Sequence, residues 1–264
     1  MQTHYYGWSG IVLQHDDTVI GFDLFGENVT WSVLPPATTT ILCVTHGHPE
    51  HCGSLRQLLA AADARLAQTH IVSSPAVLAH VTQGIQIPAG NLHPVEDGQT
   101  VTIAGVQVAV FAWRHLPLLP SGIGPKLEYV WRLVLRPLEL ARIGFAGLRL
   151  PMGAPMIGFH IRWPDGATVL NYAEGLHRST NPGEVQTVAR RLPATTLLFA
   201  VEPEDAEAVP HWIAALAPTT VMLYEAHRPW RETFQLPYID LTDYARTLSA
   251  RFPQMQFVPL LETR

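Results

Sequence analysis

Cysteine is scarce in this chain: of 264 residues, only Cys43 and Cys52 carry a thiol. Two thiols cannot build a disulfide framework, so the fold must be held by packing. Charge is scarce as well. Charged residues make up 15% of the chain and apolar ones 47%, which excludes a disordered polymer. The charge present sums to −5, so no global field draws the chain to nucleic acid or to an anionic membrane. No apolar run approaches the length needed to cross a bilayer, so no transmembrane segment is expected. The start, Met1 to Gly7, has neither the basic nor the apolar region of a signal peptide. These absences predict a soluble, cytoplasmic protein with a sizeable core.

Histidine, by contrast, is plentiful, with 13 in the chain. Three of them crowd into Thr45-His46-Gly47-His48-Pro49-Glu50-His51-Cys52-Gly53, directly after the apolar run Thr40 to Val44. Imidazole and carboxylate suit zinc, manganese or iron, and a short turn can aim several such groups at one point. Pro49 and Gly53 make the stretch a loop, and a solvated polar loop is the plain alternative. Density and placement behind a buried strand favour a metal. The next segment, Ser54 to Leu66, reads as a helix with Ser54 as N-cap and Leu55, Leu58, Leu59, Ala62 and Leu66 on one face.

The remainder of the chain is punctuated by strands. Gly10–Gln14 and Thr18–Phe25 predict a hairpin, and Asp23 either braces a ligand loop or is an ordinary strand-end carboxylate. Ile71–Ser73 is a strand, and Pro75 opens a helix through Val81. Val101–Ile103 and Val106–Phe111 are strands, after which comes His115. Residues 116 to 156 are rich in Pro and Gly and hold five basic against two acidic residues, a local +3. An irregular lid over a pocket and a helical hairpin packed on the body or used for dimerisation are both consistent with that segment. The second half places Glu174 after the strand Ala167–Tyr172 and His227 after Thr220–Tyr224, with helices at Glu184–Arg191, Ala206–Ala217 and Asp240–Phe252. His160 and His177 lie near these candidates and could touch a substrate. The element order suits two packed sheets flanked by helices, within one domain over residues 1–264 carrying an insertion at about 116–156.

The motif His46-x-His48-x-Glu50-His51 behind a strand, followed in order by His115, Glu174 and His227, resembles the metallo-β-lactamase-fold hydrolase superfamily. Its His48-Pro49-Glu50-His51 turn is similar to that of the lactonase and phospholipase-like members. The resemblance implies an α+β fold, a four-layer αββα sandwich, with one or two divalent metal ions, zinc first and manganese or iron as alternatives. It implies His46, His48 and His115 on one metal, Glu50, His51 and His227 on a second, and Glu174 between them. It also gives the carboxylate of Glu50 the part of orienting the attacking water, and a metal-bound hydroxide the part of nucleophile. Both acids depart from the family pattern, which has aspartate at each place. Glutamate reaches about 1.5 Å further, against a tolerance of about 0.2 Å in metal–ligand distances. The expected activity is hydrolysis of a small ester, lactone or phosphoester, apolar or anionic, by a monomer or homo-oligomer. A non-catalytic metal-binding or interaction module and a mononuclear iron redox enzyme are the alternatives.

Overall fold

A computed structural model describes residues 1–25, 29–61, 63–115, 119–120, 122–147 and 150–262. The chain divides into two compact units, one formed by Met1–Trp113, Leu150–Val169 and Leu260–Arg264, the other by Arg114–Arg149 and Leu170–Pro259.

The first unit opens with β1 (Gln2–Tyr5), β2 (Ile11–His15) and β3 (Thr18–Phe22), an antiparallel run in which Ile11 faces Phe22 across the expected hairpin. Next come β4 (Thr39–Cys43), β5 (Thr69–Ser73) and β6 (Leu92–Pro94), each parallel to its predecessor. Together they form a six-stranded sheet in sequence order. Parallel strands need crossovers, and α1 (Pro49–Cys52), α2 (Leu55–Ala60) and α3 (Pro75–Thr82) lie in these. Leu55, Leu58 and Leu59 of α2 and Val77 and Val81 of α3 join Val12, Val19, Leu42 and Ile71 in one buried cluster. Burying each such side chain contributes about 1.5–3 kcal/mol.

The expected helix over 54–66 is shorter than its apolar spacing suggests. Ala61 leaves helical geometry with ψ of 89°, and a 3₁₀ turn follows at Ala64–Gln68. Asp63 starts that turn by accepting from the Arg65 amide, so a strong local cap outcompetes continued helix. Ser54, the expected N-cap, makes no side-chain capping bond. Ala62 lies outside the described residues. This unit also contains β7 (Thr100–Ile103), β8 (Val106–Ala112) and β9 (Ile157–Arg162), all antiparallel. Positive φ at both Ala104 and Gly105 marks the tight turn that joins β7 to β8.

In the second unit, the segment expected to be irregular or a helical hairpin contains two helices, α4 (Ile123–Val134) and α5 (Pro137–Gly147). Residues 116–118, 121, 148 and 149 of that segment lie outside the described ones. The prolines do not prevent helix, because Pro125 and Pro137 both fall in a first turn, where a missing N–H costs nothing. Then come β10 (Thr168–Ala173, which begins in the first unit), α6 (Pro182–Arg191), β11 (Thr196–Ala200), α7 (Val209–Leu216), β12 (Thr220–Tyr224), α8 (Arg228–Thr233), α9 (Leu241–Arg251) and β13 (Gln256–Pro259). Strands β11, β12 and β13 are parallel. Asn181 and Asp240 cap α6 and α9 with their side chains. Strands β7 to β13 make up a seven-stranded sheet, so the chain has two mixed sheets with helices, the α+β class expected. Among the described residues, no helix is long and apolar enough to cross a membrane.

Candidate metal centre

In the first unit the parallel pairing of β3 with β4 sets Phe22 opposite Cys43, and both chains then turn into the site. Asp23, 1% exposed, takes a left-handed φ of 45° directly after β3. Its carboxylate accepts the Thr45 amide at 2.8 Å, the Thr45 hydroxyl at 2.8 Å and His51 Nδ1 at 2.9 Å. Asp23 is thus the brace for the ligand loop.

That network fixes the imidazoles. The Thr45 hydroxyl has one proton, which Asp23 receives, so at 2.9 Å from His46 Nδ1 its oxygen acts as acceptor. His46 and His51 both therefore carry their proton on Nδ1, and each presents an Nε2 lone pair of the kind a metal takes. Both rings are buried and lie 3.8 Å apart between centroids, with Trp113 edge-on to His46 at 5.4 Å. His48 packs against His46 at 4.5 Å, and its Nδ1 is 3.6 Å from Glu50 Oε1. Donor atoms of His46 come within 4.8 Å of one on His48 and of one on His51. A zinc ion with bonds of about 2.1 Å joins donors up to roughly 4.2 Å apart. Donors no more than 4.8 Å apart lie within or close to that span.

Two neighbours sharpen the loop. A Cβ on Gly47 would come within 2.3 Å of the Pro151 carbonyl oxygen, so only glycine lets the chain pass between the two histidines. Cys52 is buried, and its Sγ donates to the His48 carbonyl at 3.3 Å. Burial first, then the negative charges of Asp23 and Glu50, push its thiol up to about 12.

In the second unit, β10 ends on Ala173, which holds a left-handed φ of 49° while its amide donates to the Asn171 side chain at 2.9 Å. This kink delivers Glu174, 3% exposed. His115 Nε2 stands 3.5 Å from Glu174 Oε2, and His227 Nε2 stands 3.7 Å from Glu174 Oε1. Each carboxylate oxygen thus has its own imidazole. His227, at the start of α8, gives its Nδ1 proton to Glu202 Oε1 at 2.7 Å. Glu202 also accepts from Arg231 Nε at 2.6 Å, and Arg231 goes on to Glu204 at 2.5 Å and the Pro237 carbonyl at 2.7 Å. Burial alone would raise the Glu202 carboxyl, yet His227 and Arg231 outweigh it and hold the group below its usual range.

Of the seven expected ligands, the structure gathers His46, His48 and His51 with Glu50 beside His48 in one unit, and His115, Glu174 and His227 in the other. His177 has a different task from the expected substrate contact. Its Nδ1 accepts the Ser179 amide at 3.2 Å and its Nε2 donates to the Arg114 carbonyl at 3.0 Å, which braces the chain next to His115. His160 is buried in β9, opposite Ala109. Sequence reasoning missed Thr45, Glu202 and Arg231. A signal existed: Glu202 follows a buried strand as the ligands do, and Arg231 lies one helical turn after His227.

No family model matches the chain, and no curated protein matches it in sequence. Solved structures do. A metallo hydrolase from the hyperthermophilic archaeon Ignicoccus hospitalis aligns over 98% of this chain and 94% of its own, with a TM-score of 0.61 and 16% identity. The metallo-β-lactamase fold protein YhfI from Bacillus subtilis aligns over 99% and 95%, at 0.58 and 10%. CmlA, a diiron β-hydroxylase from Streptomyces venezuelae, aligns over 98% of this chain at 0.59 and 14%, and the match spans 52% of its length. With two mixed sheets, flanking helices and His/Glu metal-site candidates in the expected order, the chain has the metallo-β-lactamase fold.

Proposed function

We propose that this protein is a metal-dependent hydrolase of a small ester, lactone or phosphoester. On this reading His46, His48 and His115 hold one divalent ion, Glu50, His51 and His227 a second, and Glu174 lies between them. The observation that supports it is the shared tautomer of His46, His51 and His227. Each gives its Nδ1 proton to an oxygen of the protein, a pattern that serves ligation and that chance packing has no reason to repeat. Zinc fits the imidazole-rich set and is the first choice, with manganese and iron as alternatives. When bound, the metal acidifies water and polarises the attacked oxygen. The protein's own part is orientation. Asp23 and Thr45 hold two rings in place, Glu202 and Arg231 hold a third, and on this reading Glu50 has the part of orienting the attacking water.

The test is metal analysis of the purified protein, together with a panel of esters, lactones and phosphodiesters. One or two ions per chain and cleavage that His46→Ala abolishes are expected. A metal-loaded protein inactive across the panel would sink the reading. The second reading is oxidative chemistry on iron, which imidazole and carboxylate ligands also suit and which the likeness to a diiron β-hydroxylase supports. Oxygen consumption with a thiol substrate and bound iron would establish it instead. The lactonase and phospholipase-like members remain the proposed relatives, on the strength of the His48-Pro49-Glu50-His51 turn.

A further inference from the structure

Helix α4 is oriented against expectation. Ile123, Leu127, Val130, Trp131 and Val134 recur at helical spacing on one side, and they are 80, 66, 44, 63 and 56% exposed. The opposite side attaches the helix through polar groups: Tyr129 Oη accepts from Trp230 Nε1 at 3.1 Å, and Arg132 donates to the Gln235 carbonyl. The apolar face of an amphipathic helix is thus the one left in water. Helix α5 continues it, with Leu138 83% and Phe145 71% exposed. A soluble monomer rarely displays so large a contiguous set without a use for it.

Charge indicates the occupant. The two helices and the link between them hold four basic residues, Lys126, Arg132, Arg136 and Arg142, against Glu128 and Glu139. Glu128 is occupied by Arg132 at 2.6 Å, while Lys126, Arg136 and Arg142 are exposed. A chain with a net charge of −5 thus concentrates cations in the segment that carries its exposed apolar face. The acidic remainder is screened beyond about 8–10 Å, so the local sign decides what docks. A two-fold pairing of the same face would set these cations against their own copies. An anionic lipid surface matches both properties: bulky apolar groups enter the headgroup boundary, Trp131 suits that boundary, and Lys and Arg meet the phosphates. A 12-residue helix is too short to cross the bilayer and of ordinary length to lie on it.

We propose that the α4–α5 hairpin is a docking surface for anionic lipid membranes, seating the protein on the membrane without spanning it. This inference does not depend on the metal site. The test is co-sedimentation of the full chain with vesicles of phosphatidylcholine alone and of phosphatidylcholine mixed with phosphatidylserine. Binding to the mixed vesicles should be at least about tenfold stronger and should fall about tenfold or more when Lys126, Arg136 and Arg142 are all changed to Glu. The double substitution Leu127→Ser, Trp131→Ser should abolish it while circular dichroism stays unchanged. If that variant unfolds, the charge variant carries the test alone. No sedimentation with either vesicle, or equal sedimentation of all variants, overturns the proposal. So does a dimer, seen by sedimentation velocity, that the double substitution dissolves in a protein indifferent to vesicles, since the face then belongs to a second copy.

Discussion

The two ligand sets are braced by opposite means. In the first unit, a single carboxylate, Asp23, acts through a neutral hydroxyl and an amide, and one residue orients two imidazoles. In the second unit, a single imidazole, His227, is held by a chain of full charges, the buried Glu202 and Arg231 and the half-buried Glu204. A hydroxyl relay leaves little behind when cut. A buried ion cluster leaves a stranded charge, because water cannot reach the abandoned partner. The difference predicts that equal-sized lesions cost more in the second unit than in the first.

The largest effect is expected from Arg231→Met, which strands the buried Glu202. Denaturant unfolding should show a loss of about 3–5 kcal/mol, and a loss under 1 kcal/mol would mean that the cluster is hydrated. Next is Asp23→Ala, which removes the acceptor of two buried protons on Thr45 and of one on His51. About 2–3 kcal/mol should be lost, and zinc affinity measured by competition with a chelator should drop 10–100-fold. Unchanged affinity would separate the brace from the ligands. Thr45→Val keeps shape but cuts the relay to His46; about 1–2 kcal/mol is expected, with the metal still bound. If it proves as costly as Arg231→Met, the contrast between the units collapses. The smallest effect is chemical. Cys43 and Cys52 are buried, and burial chiefly raises both thiols, so a thiol reagent at mildly alkaline pH should leave the native protein unlabelled and modify two sites after denaturation.

The candidate ligands are legible in the sequence because they are local: His46, His48, Glu50 and His51 sit in one turn, and each later candidate follows a strand. Their braces are not, since Glu202 and His227 are 25 positions apart and only the parallel arrangement of β11 and β12 relates them. The hairpin at β2 and β3 and the caps Asn181 and Asp240 rest on turn and capping chemistry that acts over a few residues. The α4–α5 region is readable as helix from its spacing, but its Pro and Gly content argues for irregular chain until the prolines are placed in first turns. Which side of α4 faces outward depends on Trp230 and Gln235, a hundred residues downstream, and no periodicity carries that.

Asp23 and Ala173 share a feature whose consequence concerns the two unusual glutamates. Each occupies the left-handed region at the end of a strand, a conformation that costs a non-glycine residue about 1–3 kcal/mol. A strand bent in this way aims the next residue by its backbone, as a fixed elbow aims a pipe. The direction of Glu174 is then set by the bend at Ala173. A change of side-chain length at position 174 is thus expected to leave the register of β10 intact.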